Sequence, residues 1–205
     1  MTIVVTGTDT DIGKTVFAAG LTAALGARYW KPVQAGLADG SDAASVVTLG
    51  VPADHVLPEA YLLTTPCSPH LAAEIDRVTI DPDRLALPEV DGPLIVEGAG
   101  GVMVPVTRDL IFADLFARWG KPVVLVARTG LGTINHSLLS IEALRSSGVA
   151  ILGIAFVGDA VEDSEATIAA LGKVRRLGRL PRLDPLNAAT LAEAFTENFE
   201  LEAFR

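Results

Sequence analysis

The sequence predicts an α/β fold with a mostly parallel central sheet and helices on both faces. Three observations point to it. Short β-rich runs alternate with helical stretches, the order expected of βαβ units. Pro93–Glu97 and Pro122–Ala127 are continuously apolar, as strands are when helices cover both faces. The 205 residues are 50% hydrophobic and 20% charged, a globular composition of a size that fits one domain, 1–205.

The elements follow in order. Thr2–Thr6 is a short β-branched strand. It turns through Gly7–Ile12 into a helix near Gly13–Leu25, whose Val16, Phe17, Ala18, Leu21 and Leu25 make it apolar on nearly every side and predict burial. Arg28–Val33 reads as a second strand, broken by Pro32. Ser41–Leu49 reads as a helix that Ser41 or Asp42 can cap. Prolines 52, 58, 66, 69, 82 and 88 punctuate residues 50–92, leaving room for short helices near Pro69–Ile75 and Pro82–Ala86. Regularity returns with the strand Pro93–Glu97, a helix near Leu110–Trp119 and the strand Pro122–Ala127. A helix near Asn135–Ser146, a strand at Ile151–Val157, a helix near Ser164–Leu171 and a strand at Arg176–Leu180 follow. The last helix runs from about Leu186 to Phe195.

Composition removes several function classes. The net charge of −9 and the absence of a cationic run argue against a nucleic-acid binder. The single cysteine, Cys67, excludes an intramolecular disulfide and a cysteine-rich zinc site. The first residues carry no basic region before their apolar run, so a secretory signal is not expected. No run approaches the ~18–20 apolar residues that span a bilayer, so no membrane association is expected. The expected setting is the reducing cytoplasm.

The strongest motif is Gly7-Thr8-Asp9-Thr10-Asp11-Ile12-Gly13-Lys14-Thr15, which follows a strand and opens a helix. In that context a Gly-Lys-Thr loop cradles phosphates: backbone amides and the helix dipole face the anion, Lys14 reaches the β/γ phosphates, and Thr15 offers a hydroxyl to Mg²⁺. Five residues, not four, separate Gly7 from Gly13, so the strict pattern is stretched by one. A tight strand–helix turn with a chance Lys-Thr is the bland alternative. An extra early lysine, common in such loops, is replaced by acidic residues. Asp9 and Asp11 can face a cationic partner such as an amine, or accept hydrogen bonds from loop amides.

Glu97 ends an apolar strand before Gly98-Ala99-Gly100-Gly101. At the carboxyl end of a parallel strand it can hold Mg²⁺ or position water, or be a solvated strand end. Asp42 can be a ligand or an N-cap. Thr15, Asp42 and Glu97 together supply hard oxygens of the kind Mg²⁺ takes. Lys31, in Tyr-Trp-Lys-Pro-Val, is a second candidate cation or an edge lysine that protects a strand. His55, His70 and His136 lack metal-ligand spacing. Cys67 has no basic partner nearby in sequence to activate it. Trp30 and Trp119 read as packing residues.

These blocks resemble the dethiobiotin synthetases, ATP-dependent enzymes of biotin synthesis. The matching segments are Gly7–Thr15, Lys31-Pro32-Val33, Ser41-Asp42-Ala43, Val96–Gly101 and Leu131-Gly132-Thr133-Ile134-Asn135-His136, with Gly178-Arg179-Leu180-Pro181 as a late echo. The resemblance implies a homodimeric P-loop NTPase-type domain with its active site at the dimer interface. It implies 7,8-diaminononanoate, CO₂ and ATP as substrates and Mg²⁺ as cofactor. One amine captures CO₂ as a carbamate, the carbamate attacks the γ-phosphate, and the second amine closes the ureido ring.

It also implies residue roles. Asp11, Ile12, Gly13, Lys14, Thr15, Val16, Asp42, Glu97, Gly98, Ala99 and Gly100 hold the nucleotide, with Thr15, Asp42 and Glu97 on Mg²⁺. Lys31 is the active-site lysine near the carbamate, acting with Lys14. Thr10 and Asp11 face the reacting diamine end. Leu131, Gly132, Thr133, Ile134 and Asn135 receive the distal carboxylate from the partner subunit. Two departures stand out. Ala35 replaces the Ser or Thr frequent four residues after the lysine. Val157-Gly158-Asp159 replaces an Asn that reads adenine in some members, leaving backbone near Gly158 and Leu180, Pro181 and Arg182 for that task. A dimeric nucleotide-switched ATPase that positions protein partners shares the loop and fold, as does a non-catalytic binding module. The acidic loop, and the absence of a basic amphipathic tail, set the switch apart.

Overall fold

The computed structural model describes residues 1–38 and 40–205. In chain order its strands and helices are β1 (Thr2–Gly7), α1 (Lys14–Leu25), β2 (Arg28–Trp30), β3 (Val33–Ala35), α2 (Asp42–Thr48), β4 (Tyr61–Leu63), α3 (Pro69–Asp76), β5 (Leu94–Gly101), α4 (Phe112–Trp119), β6 (Val123–Arg128), α5 (Thr133–Ser146), β7 (Ile151–Val157), α6 (Glu162–Gly172), β8 (Arg176–Leu180) and α7 (Ala188–Asn198). Six strands form one sheet in the order β2-β5-β1-β6-β7-β8, and every pairing in it is parallel. All six strands therefore deliver their carboxyl ends to one rim, where ligands bind in such sheets.

The apolar runs explain this arrangement. Along β1, Val4 turns to one face and Ile3 and Val5 to the other, and all three are buried. One face packs on α1, α2 and α7, with Phe17, Phe195, Phe199 and Phe204 forming an aromatic cluster; the Phe195 and Phe199 rings stack at 4.4 Å. The other face packs on α4 and α5, through Phe112, Phe116, Trp119, Ile141 and Leu144. Truncating a fully buried phenylalanine such as Phe17 costs about 3–5 kcal/mol, so both layers hold the rim in place.

Three expectations need correction, and one strand, β4, is unannounced by the sequence. The strand expected over Arg28–Val33 is two strands in different sheets. Pro32 has no N–H to pair, so β2 stops at Trp30, and β3 joins a separate two-stranded parallel sheet with β4. β4 itself lies in the proline-punctuated stretch, too short at three residues to give a periodic signal. The strand expected to end at Glu97 continues to Gly101, which pairs with Gly7 across a register shift. The helix expected from Asn135 starts two residues earlier, behind Gly132 at φ +91°. Trp30 and Trp119 pack against each other at 6.3 Å, as expected. Among the described residues no helix is long and apolar enough to cross a membrane.

Candidate active site

The rim carries a cleft of about 710 Å³. Its floor is the turn from β1 into α1. Gly13 sits at φ +91° as the N-cap of α1, and a Cβ there would lie 2.7 Å from Val157 Cγ1. Glycine alone meets both demands. Asp11 also has positive φ, at +54°. No side chain caps α1, so its first amides and dipole face the cleft. Lys14 curls back over the loop, its Nζ donating to the Asp9 carbonyl at 2.6 Å. Burial draws its pKa below the ordinary lysine value, against the pull of Glu97. Asp9 takes the bland course: its Oδ1 accepts from Thr10 N at 2.8 Å.

Three elements converge above the loop. Thr15 Oγ1 lies 3.0 Å from Asp42 Oδ1 and 2.9 Å from Glu97 Oε1. Lys31, in the gap between β2 and β3, pairs with Asp42 and with Glu97 Oε1, the latter at 3.0 Å. Burial opposes the Lys31 charge, but Glu97 and Asp42 outweigh it and hold its pKa above the ordinary value. Glu97 is 0% exposed, so it is no solvated strand end. Asp42 is no N-cap either: Ser41 Oγ accepts from Ala44 N, leaving the Asp42 carboxylate free to point inward.

Two carboxylates and a hydroxyl share one spot, and an ammonium already bridges the carboxylates. That donor set fits a Mg²⁺ ion whose remaining positions are filled by water and phosphate oxygens.

Of the expected residues, Thr10, Asp11, Ile12, Gly13, Lys14, Thr15, Val16, Lys31, Ala35, Asp42, Glu97, Ala99 and Gly100 line the cleft. Gly98 does not: its open side faces the Phe116 ring of α4. Gly158, Leu180, Pro181 and Arg182 lie beyond the cleft, at the ends of β7 and β8, where Gly158 N donates to Leu180 O at 2.9 Å. They approach the loop through Val157, which touches Gly13. Leu131 to Asn135 also stand outside, at the start of α5. Leu131 is fully exposed there, at 102%.

Sequence reading missed three contributors. Tyr29 donates its hydroxyl to Glu97 Oε2 at 2.8 Å; burial first, then the Glu97 charge, push its phenol pKa far above the ordinary range. Gln34 accepts from Asp42 N at 3.1 Å and donates to Gly36 O at 3.1 Å, pinning both ends of the loop between them. Pro66, Cys67, Ser68 and Pro69 also line the cleft. None carries a motif. Tyr29 and Gln34 flank Lys31, and a polar tip on an otherwise buried strand was the available signal.

Residues 1–190 match the family model described as an AAA domain. The chain is 68% identical to the ATP-dependent dethiobiotin synthetase BioD of Novosphingobium aromaticivorans, over 98% of both chains. It is 64% identical to the protein of the same name from Rhizorhabdus wittichii, over 98% of this chain and 97% of that one. Among solved structures, the cell division ATPase MinD of Pyrococcus furiosus aligns with a TM-score of 0.56 at 15% identity, covering 95% of this chain and 98% of that one. A ParA family ATPase from Chlorobium tepidum aligns at 0.54 and 11%, covering 96% and 90%. These two likenesses speak to the P-loop NTPase fold alone.

Proposed function

The chain belongs to the ATP-dependent dethiobiotin synthetase family, and from that premise we propose that it makes dethiobiotin from 7,8-diaminononanoate, CO₂ and ATP, with release of ADP and phosphate. The observation that carries the reading is Lys31. A buried ammonium beside a phosphate loop supplies what an anion needs to attack another anion, which is positive charge on both.

One amine of the substrate bonds to CO₂, loses a proton and becomes a carbamate. A carbamate oxygen attacks the γ-phosphorus as the bond to ADP breaks, giving a carbamic-phosphoric anhydride. The second amine attacks the carbamate carbon, phosphate departs, and the ureido ring closes. Lys14 and the loop amides hold the β and γ phosphates. Lys31 faces the carbamate oxygen. Thr10 and Asp11 orient the diamine end, Asp11 as the anionic partner of an amine, while Ala35 contributes only its methyl group. Thr15, Asp42 and Glu97 would hold Mg²⁺, which neutralises phosphate charge when bound. Gly158 and the Leu180–Arg182 backbone flank the base. Gly132, Thr133, Ile134 and Asn135 at the start of α5 receive the distal carboxylate bound to a second subunit, and the bare Leu131 side chain supports that homodimeric reading.

The test is phosphate release from ATP, Mg²⁺ and bicarbonate, with and without the diamine. Diamine-dependent release, with ADP and a ureido product by mass spectrometry, is the expected result. Release indifferent to the diamine points instead to a nucleotide-switched ATPase.

A further inference from the structure

We propose that Tyr29 is a positioning residue for Glu97, fixing which carboxylate oxygen faces the cation site. The inference rests on the reading of Glu97 as a Mg²⁺ ligand given above. Tyr29 lies in the middle of β2, opposite Ile95 of β5. Glu97 stands two residues further along β5, on the same face, because side chains alternate along a strand. The tyrosine ring spans that diagonal from an apolar layer that includes Ile3, Val5, Phe17 and Ile95.

Packing alone asks only for a phenylalanine there. The hydroxyl meets Glu97 Oε2 at 2.8 Å. Thr15 and Lys31 both use the other oxygen, Oε1, at 2.9 and 3.0 Å. The two oxygens thus have separate duties. Oε2 is anchored to the core, and Oε1 is presented to the cleft. Without the anchor, the carboxylate can rotate and leave a buried oxygen unpaired. Glu97 is wholly buried, so water does not take over the hydroxyl's place freely. Partners of this kind, one bond removed from a metal, typically cost 10–100-fold in metal affinity or activity when lost.

The variant Tyr29→Phe keeps the ring and removes the hydroxyl. Mn²⁺ binding, followed by electron paramagnetic resonance at saturating ADP, reads the site without turnover. The expected result is a loss of Mn²⁺ affinity of about tenfold or more, with metal-free ADP affinity unchanged. A lower melting temperature with unchanged Mn²⁺ affinity would make Tyr29 a packing residue and overturn the proposal. Glu97→Gln supplies the coupling test. Adding Tyr29→Phe to it is expected to change Mn²⁺ affinity little further; additive losses overturn the proposal. A measurement on the unmutated chain stands apart from folding of the variant. The chain has two tyrosines, so ζ-¹³C-tyrosine spectra resolve Tyr29. Its resonance is expected to move when Mg²⁺ joins the ADP complex and to stay still in Glu97→Gln; a resonance indifferent to Mg²⁺ in the unmutated chain overturns the proposal. Failure of diamine-dependent phosphate release counts against the proposed reaction and leaves these titrations readable.

Discussion

Lys31 Nζ lies 3.0 Å from Glu97 Oε1, in an ion pair whose carboxylate has no contact with solvent. Breaking such a pair strands a buried charge. Lys31→Met is therefore expected to destabilise the free protein by about 3 kcal/mol, a fall in Tm of roughly 6–12 °C for a chain of this size. A cation held by the same carboxylates compensates, so Mg²⁺ with ADP is expected to close most of the gap. Turnover is expected to fall by several decades with nucleotide affinity little changed. Melting curves with and without Mg²⁺ and ADP, and ADP titrations, check both statements. A parallel loss of ADP binding would place Lys31 on the phosphates instead.

The phosphate loop permits a comparison of charge with shape. Lys14→Ala removes the ammonium and leaves the backbone cradle. Gly13→Ala leaves the ammonium but puts a methyl 2.7 Å from Val157 Cγ1, at φ +91°, a conformation that costs a side-chain residue about 1–3 kcal/mol. Both are expected to raise the KM for ATP at least tenfold. Only Gly13→Ala is expected to lower Tm as well, because it distorts the packing of α1 on β7. Calorimetric melting beside steady-state kinetics separates the two; full activity in Lys14→Ala would remove it from the phosphates.

The parallel sheet and the loop could be read from the sequence because both rest on local signals. Continuous apolar runs mark strands buried on two faces, and the loop residues are contiguous from Gly7 to Thr15. The pairing of Thr15 with Asp42 and Glu97 joins residues 27 and 82 positions apart, a separation that motif types signal and periodicity does not. What escaped depends on tertiary context. Nothing local to Tyr29 says that its hydroxyl meets a carboxylate on the next strand. β4 is three residues long, shorter than any period can resolve. Glycines 98, 100 and 101 carry the local signature of a turn, yet β5 runs on through them as far as its bridge to Gly7.

Asn135 is exposed on the first turn of α5, outside the cleft of its own chain. A residue so placed serves a site only if a second copy brings one to it. Asn135→Ala is expected to raise the KM for the diamine while leaving ADP affinity and Tm unchanged. On the proposed homodimeric reading, mixing Lys31→Met with Asn135→Ala chains is expected to restore activity in part, since a mixed dimer would keep one intact site. Subunit exchange followed by phosphate-release assays checks this; mixtures no better than the sum of their parts would count against a site completed by Asn135 of a second copy.

Asp76 braces the segment that carries the cleft residues Pro66 to Pro69. From the end of α3 its carboxylate accepts from Thr64 N at 2.6 Å and from Thr64 Oγ1 at 2.7 Å, tying the residue after β4 to the helix. Pro66 to Pro69 hang between these two anchors. The backbone bond first, then the hydroxyl bond, hold the Asp76 carboxyl below its ordinary pKa. A carboxyl depressed by folding stabilises the fold at pH above its ordinary value, and that contribution fades as pH falls through the folded value. Asp76→Asn is therefore expected to melt below the unmutated chain at neutral pH, with the difference shrinking as the pH drops through the carboxylate range. An asparagine can still accept one bond, so the part that vanishes with acid reports the charge. A difference that persists unchanged at low pH would assign the effect to geometry alone. The same variant is expected to raise the KM for the diamine modestly, because a loosened segment lets the cleft open.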